Sequence, residues 1–131
     1  MFHVIIAGTR SFDNYNLLRD VMDVLLSDVV ESGEGVCVIS GAAPGADFLG
    51  MKYASERGYN VIRCPADWET HCRTAGHIIN PEIVGFGHAL VAFWDGESRG
   101  TRHMIKTAES IGLEVRVIEY RSEFPWTLTK F

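Results

Sequence analysis

Short apolar runs and amphipathic stretches take turns along the chain. Phe2–Ala7 is a run rich in β-branched residues that ends at Gly8, and it predicts a strand buried on both faces. Leu18, Val21, Met22, Leu25 and Val29 then recur at helical spacing, with Asp13 placed to cap that helix and Gly33 and Gly35 to end it. Val36–Ser40, closed by Gly41, predicts a second buried strand. A helix is expected from about Gly45 to Arg57 with Gly58 as its stop, and a third strand over Asn60–Cys64 before Pro65. The stretch 66–87 is less regular, although Asn80-Pro81 reads as an N-cap with proline at the first position of a short helix running to about Phe86. Ala89–Trp94, Gly100–Ile111 and Glu114–Glu119 read as the fourth strand, fourth helix and fifth strand. The tail 120–131 is aromatic-rich and has no readable period.

Strands alternating with helices predict an α/β fold, a three-layer sandwich around a five-stranded parallel sheet. Right-handed crossovers leave few topologies, and the order 3-2-1-4-5 is expected. In that order the switch point lies between strands 1 and 4, and ligands of such sheets bind beyond the carboxyl ends of the strands there.

Composition narrows the setting. A chain of 131 residues is the size of one domain, here 1–119 followed by the tail 120–131. Twelve Lys and Arg against 17 Asp and Glu give a net charge of −5, which disfavours a nucleic acid backbone as partner. No apolar run approaches the ~20 residues of a membrane span, and the start Met1-Phe2-His3-Val4 lacks the basic region of a secretory signal. Three cysteines, Cys37, Cys64 and Cys72, fit no disulfide framework, so a cytoplasmic, reducing setting is expected.

Three turns fall at the carboxyl ends of strands. After the first strand, Gly8-Thr9-Arg10-Ser11-Phe12 combines a glycine, two hydroxyls and a cationic fork. After the second, Ser40-Gly41-Ala42-Ala43-Pro44-Gly45-Ala46-Asp47 keeps side chains small before a helix start, where free amides and the helix dipole suit an anion. After the fourth, Trp94-Asp95-Gly96-Glu97-Ser98-Arg99-Gly100-Thr101 again joins glycines, hydroxyls and an arginine at a helix start. Three anion-capable turns at one edge of one sheet point to a phosphate-bearing ligand. The pattern is neither G-x-G-x-x-G nor a P-loop with its lysine, which disfavours hydride transfer with NAD and ATP hydrolysis.

These turns, with Pro65-Ala66-Asp67-Trp68 and Ala75-Gly76-His77-Ile78-Ile79-Asn80, come in the order seen in the YspA-related branch of the SLOG superfamily. The chain resembles that branch over about residues 3–119. These are Rossmann-like proteins akin to the LOG cytokinin-activating phosphoribohydrolases and to the DprA DNA-processing proteins. The resemblance implies a nucleotide-derived ligand such as ADP-ribose, an NAD-like molecule or a nucleoside phosphate. No cofactor is expected to be required, and because related proteins often pair, a homodimer is a possible assembly. Two basic positions of the branch are Pro44 and Ile79 here, so a less charged ligand or weaker binding is implied. In LOG proteins a catalytic Glu follows the Gly-Thr pair, whereas Met104 falls at that position in this chain, and a thioether does no acid–base work.

Other readings compete at single residues. Asp47 could hold a ribose hydroxyl or hydrogen-bond within its own turn. Trp68 beside Asp67 could stack on a base or fold under a loop, and Asn80 could reach the same ligand. Asp95 and Glu97 could face a ribose or solvent. His71, Cys72 and His77 match no zinc spacing, so no metal site is expected. Cys37 reads as core, Cys64 has no visible base to activate it, and Met22, Met51 and Met104 read as packing residues. The expected function is binding or sensing of a nucleotide derivative. The alternatives are an N-glycosidic hydrolase using Asp95, Glu97 or Asp47, and a binder of single-stranded DNA through Arg99, Arg102, His103 and Lys106.

Overall fold

The structure, a computed structural model, describes residues 1–41, 43–63, 89–121 and 128–131. Its elements are β1 (Phe2–Gly8), α1 (Tyr15–Leu25), α2 (Ser27–Glu31), β2 (Val36–Ser40), α3 (Ala46–Arg57), β3 (Asn60–Arg63), β4 (Ala89–Trp94), α4 (Arg99–Ser110) and β5 (Glu114–Glu119). The five strands form one parallel sheet in the order β3-β2-β1-β4-β5, as the sequence predicts. The fold is α/β and Rossmann-like.

The apolar strands sort by face. Val4 and Ile6 of β1, Val38 of β2 and Val91 and Phe93 of β4 point to a core closed by Leu18, Val21, Met22 and Leu25 of α1 and by Tyr53 and Ala54 of α3. Ile5 and Ala7, with Leu90 and Ala92, point the other way and meet Ile105 and Ala108 of α4. Burial on both faces is why β1 and β4 read as unbroken apolar runs rather than alternating ones. The edge strands are wetter: β3 is exposed along its length, and in β5 only Ile118 is buried.

Three details depart from the sequence reading. The first long helix is broken at Leu26, so Val29 lies in the separate turn α2, and Ser27 and Ser32 bond back to the carbonyls of Val24 and Val29 there. The N-cap of α1 is Asn14, whose side chain accepts from the Leu17 amide, rather than Asp13. Helix α4 begins at Arg99, one residue before Gly100, with Ser98 as its cap. Cys64, the short helix expected over 81–86, and Phe124 and Trp126 lie outside the described residues. From the tail, Leu128 and Phe131 pack on the larger core, Phe131 lies 5.3 Å from Phe2, and the Thr129 carbonyl accepts from Arg116 at 2.7 Å.

Helices α1 and α3 are joined by a polar latch. Arg57 donates to both oxygens of Asp23, at 3.0 and 2.6 Å, and the buried Tyr53 hydroxyl donates to the same carboxylate at 2.6 Å. The Arg57 guanidinium holds the Asp23 carboxyl below its ordinary pKa, with help from the Tyr53 hydroxyl and against the opposing effect of burial. Against β1, α3 presents Gly50, where an added Cβ would lie 2.8 Å from Ile6. That close approach brings the first turn of α3 up against the loop after β1.

Candidate functional site

The loop after β1 is pinned from below and behind. Phe12 is buried, stacks on Phe93 at 5.1 Å and meets Tyr120 at 4.7 Å. Burial of that ring contributes about 2 kcal/mol to keeping the loop in place. The Phe12 amide closes a turn on the Thr9 carbonyl at 3.1 Å, leaving Arg10 and Ser11 exposed at its tip. Gly8 takes a φ of +152°, and a Cβ there would overlap the Phe93 backbone. The close approach lets the Thr9 amide donate to the Phe93 carbonyl at 2.9 Å, one step beyond the strand pairing.

Thr9 also ties this loop to the one after β4. It is buried, and its hydroxyl oxygen accepts from the Asp95 amide at 3.1 Å. The Asp95 carboxylate in turn accepts from the amides of Ser98 and Glu97, at 2.8 and 2.9 Å, and those two bonds hold its pKa below the ordinary value. Asp95 therefore closes its own turn, with Gly96 inside it. Ser98 caps α4, its hydroxyl meeting the Thr101 amide at 3.4 Å and the Thr101 hydroxyl at 3.2 Å. No acceptor among the described residues meets the amides of Arg99 and Gly100, and open space surrounds the position a Cβ on Gly100 would take.

The loop before α3 is arranged differently. Gly45 adopts φ +86°, and a Cβ on it would overlap the carbonyls of Thr9 and Arg10. At the helix start, Ala46 donates to the Thr9 carbonyl at 3.4 Å and Phe48 to the Ala43 carbonyl at 3.1 Å. The buried Ser40 hydroxyl donates to the Asp47 carbonyl at 2.9 Å. The Asp47 side chain is itself buried, accepts from the Ala43 amide at 3.4 Å and lies near the Gly8 amide. Burial pushes its carboxyl pKa up to about 6, against the opposing pull of the Ala43 and Gly8 amides and of Arg10. A protein carboxylate thus already sits on amides of the first two turns.

Between these loops, beyond the carboxyl ends of β1 and β4, lies a cavity of about 690 Å³ among the described residues. Gly8, Thr9, Arg10 and Ser11 line it from the first turn, Gly41, Ala43 and Asp47 from the second, and Ser98, Gly100 and Thr101 from the third. Ile5, Ala7, Ile39 and Met104 form its apolar side. Of the other expected residues, Ser40, Gly45 and Ala46 stand behind the wall as its supports, while Asp95, Gly96 and the exposed Arg99 are not among the lining residues. Ala42, Asp67, Trp68 and Asn80, and likewise His71, Cys72 and His77, lie outside the described residues. The sequence reading did not single out Ile5, Ala7 and Ile39 as wall residues. The signal was the period of two that puts Ile5 and Ala7 on one face of β1.

Comparison with known proteins places the chain in a family. The YspA, cpYpsA-related SLOG family profile, YAcAr, matches residues 2–71, which carry the first two turns. The chain belongs to this SLOG family. It is also similar to the Gene 61 protein of Mycobacterium phage D29, at 35% identity over 121 residues that span 88% of this chain and 94% of the phage protein. No solved structure matches. In this SLOG protein Met104 lies on the apolar side of the cavity. Among the described residues, no helix is long and apolar enough to cross a membrane, and no group of three or more His, Cys, Asp or Glu could hold a metal ion.

Proposed function

We propose that this chain binds a nucleotide-derived small molecule, of the ADP-ribose, NAD or nucleoside phosphate class, in the cavity beyond β1 and β4. One observation carries the reading. The cavity opens at the point where the strand order reverses, and two polar turns joined through the Thr9–Asp95 hydrogen bond line it. Phosphate oxygens rest against the open start of α4 at Gly100-Thr101 and against Ser11, with the Arg10 guanidinium as the countercharge. The apolar side at Ile5, Ala7 and Met104 takes the less polar part of the ligand. Membership of a SLOG family supports a nucleotide-related role.

Differential scanning fluorimetry with ADP-ribose, NAD, AMP and cyclic ADP-ribose tests the proposal. A ligand held well above its Kd adds a few kcal/mol to the folded state and raises Tm by several degrees. No change in Tm with any of the four at millimolar concentration overturns it. Chromatography of the same mixtures distinguishes binding from hydrolysis, and no release of free base is expected with Met104 in place of a carboxylate.

A further inference from the structure

The wall of the cavity divides by charge, and Asp47 makes the division. It is a carboxylate inside a cavity otherwise suited to anions, nine-tenths buried, with the Ala43 amide donating to it and the Gly8 amide close by. While it is ionised, a phosphate cannot approach the Gly8 and Ala43 amides without meeting a like charge in a poorly solvated place. The amides of Arg99 and Gly100 at the start of α4, on the other side, have no protein acceptor among the described residues. A carboxylate oxygen accepts up to two hydrogen bonds, so Asp47 keeps acceptor capacity beyond the amides beside it, and the hydroxyls of a sugar are neutral donors that can fill it.

We infer that Asp47 is a specificity-determining residue that selects ligands carrying a free sugar diol next to their phosphate, the diol at Asp47 and the phosphate toward Arg10 and Gly100-Thr101. The inference rests on the ligand reading above and sharpens it: free phosphate or a diol-free nucleotide fits one half of the cavity only. A bond from a hydroxyl to a buried carboxylate discriminates strongly against its absence, because the desolvated charge is then left without that donor.

Calorimetric titration of AMP, 2′,3′-dideoxy-AMP and inorganic phosphate at about pH 7.5, into the wild type and Asp47→Asn, tests this. The wild type is expected to bind AMP about ten-fold or more tighter than the dideoxy compound. In Asp47→Asn that preference shrinks to about three-fold or less, and inorganic phosphate binds more tightly than to the wild type. Equal affinity of the wild type for AMP and its dideoxy analogue overturns the inference and leaves the ligand reading intact. A preference unchanged in Asp47→Asn overturns the assignment to Asp47. If AMP does not bind, the inference falls, and the ligand reading falls with it unless ADP-ribose or NAD still raises Tm. Should the variant not fold, the wild-type pair of nucleotides decides alone.

Discussion

Helices α3 and α4 both begin at the carboxyl edge of the sheet, and both follow a turn that contains a glycine at positive φ. Their starts nonetheless differ in how closely the neighbouring chain meets them. At α3 the backbone of the neighbouring loop takes the Ala46 amide, the Ala43 carbonyl takes the Phe48 amide, and Gly45 is wedged against Thr9 and Arg10. At α4 a serine caps one amide, two others face no protein acceptor among the described residues, and Gly100 has space beside it. The same local sequence chemistry serves packing in one place and access in the other. A helix start with glycine beside it is therefore accessible to a ligand only where the neighbouring chain leaves it open.

The sharpest way to break the contrast is at its glycines, beginning with Gly45→Ala. A side chain there is strained at φ +86° and overlaps two carbonyls, so a loss of about 3 kcal/mol or more, or failure to fold, is expected from urea unfolding.

Next in size is Asp47→Asn. The Asp47 pKa of about 6 lies above the ordinary 3.8, so the folded chain binds that proton more tightly than the unfolded chain does. Stability from this group is greatest below pH ~4, falls as pH rises to about 6 and is flat beyond, a span of about 3 kcal/mol. The Asn side chain carries no charge and can still accept from the Ala43 amide. The variant is expected to melt later than wild type at about pH 8, with the gain gone at about pH 4, as thermal scans across pH will read. Asp23 runs the other way. Its pKa is lowered by Arg57, so the stability it lends is present above the ordinary carboxylate pKa and is lost as pH falls through its depressed value.

Smaller again is Thr9→Val, which keeps the shape and removes the acceptor of the Asp95 amide. A loss of about 1–2 kcal/mol in chemical unfolding is expected, with weaker nucleotide binding because the two lining turns are no longer tied. Smallest is Gly100→Ala. Replacing a helical glycine that has open surroundings should raise stability by about 0.5–1 kcal/mol while weakening AMP binding, a split that calorimetry and urea unfolding together will detect. If stability and affinity move together at Gly100, the two helix starts do not differ as described.

Much of this architecture was readable from the chain. Unbroken apolar runs at Phe2–Ala7 and Ala89–Trp94 announced strands covered on both faces, and crossover handedness then fixed the strand order. The break at Leu26 was not readable, since no glycine or proline marks it and the apolar spacing runs on through Val29. Around the cavity, residue types told which turns could carry polar groups but not which amides were already engaged. That depends on contacts such as Gly45 against Thr9, far apart in sequence, and on a carboxylate reaching across to Gly8. The apolar wall was hidden for another reason, because Ile5 and Ala7 carry the same hydrophobic signature whether they face a helix or a hollow.

Trp94 closes β4 with its indole donating to the Ser98 carbonyl at 3.0 Å and the Arg102 guanidinium 5.5 Å above its ring. The residue that caps α4 is thus bonded to a chromophore. Indole emission responds to the polarity and charge around the ring, so the double substitution Trp68→Phe and Trp126→Phe would leave Trp94 as the single tryptophan, beside the helix start and excitable apart from the four tyrosines. Its spectrum would then follow filling of the cavity in real time, without a label.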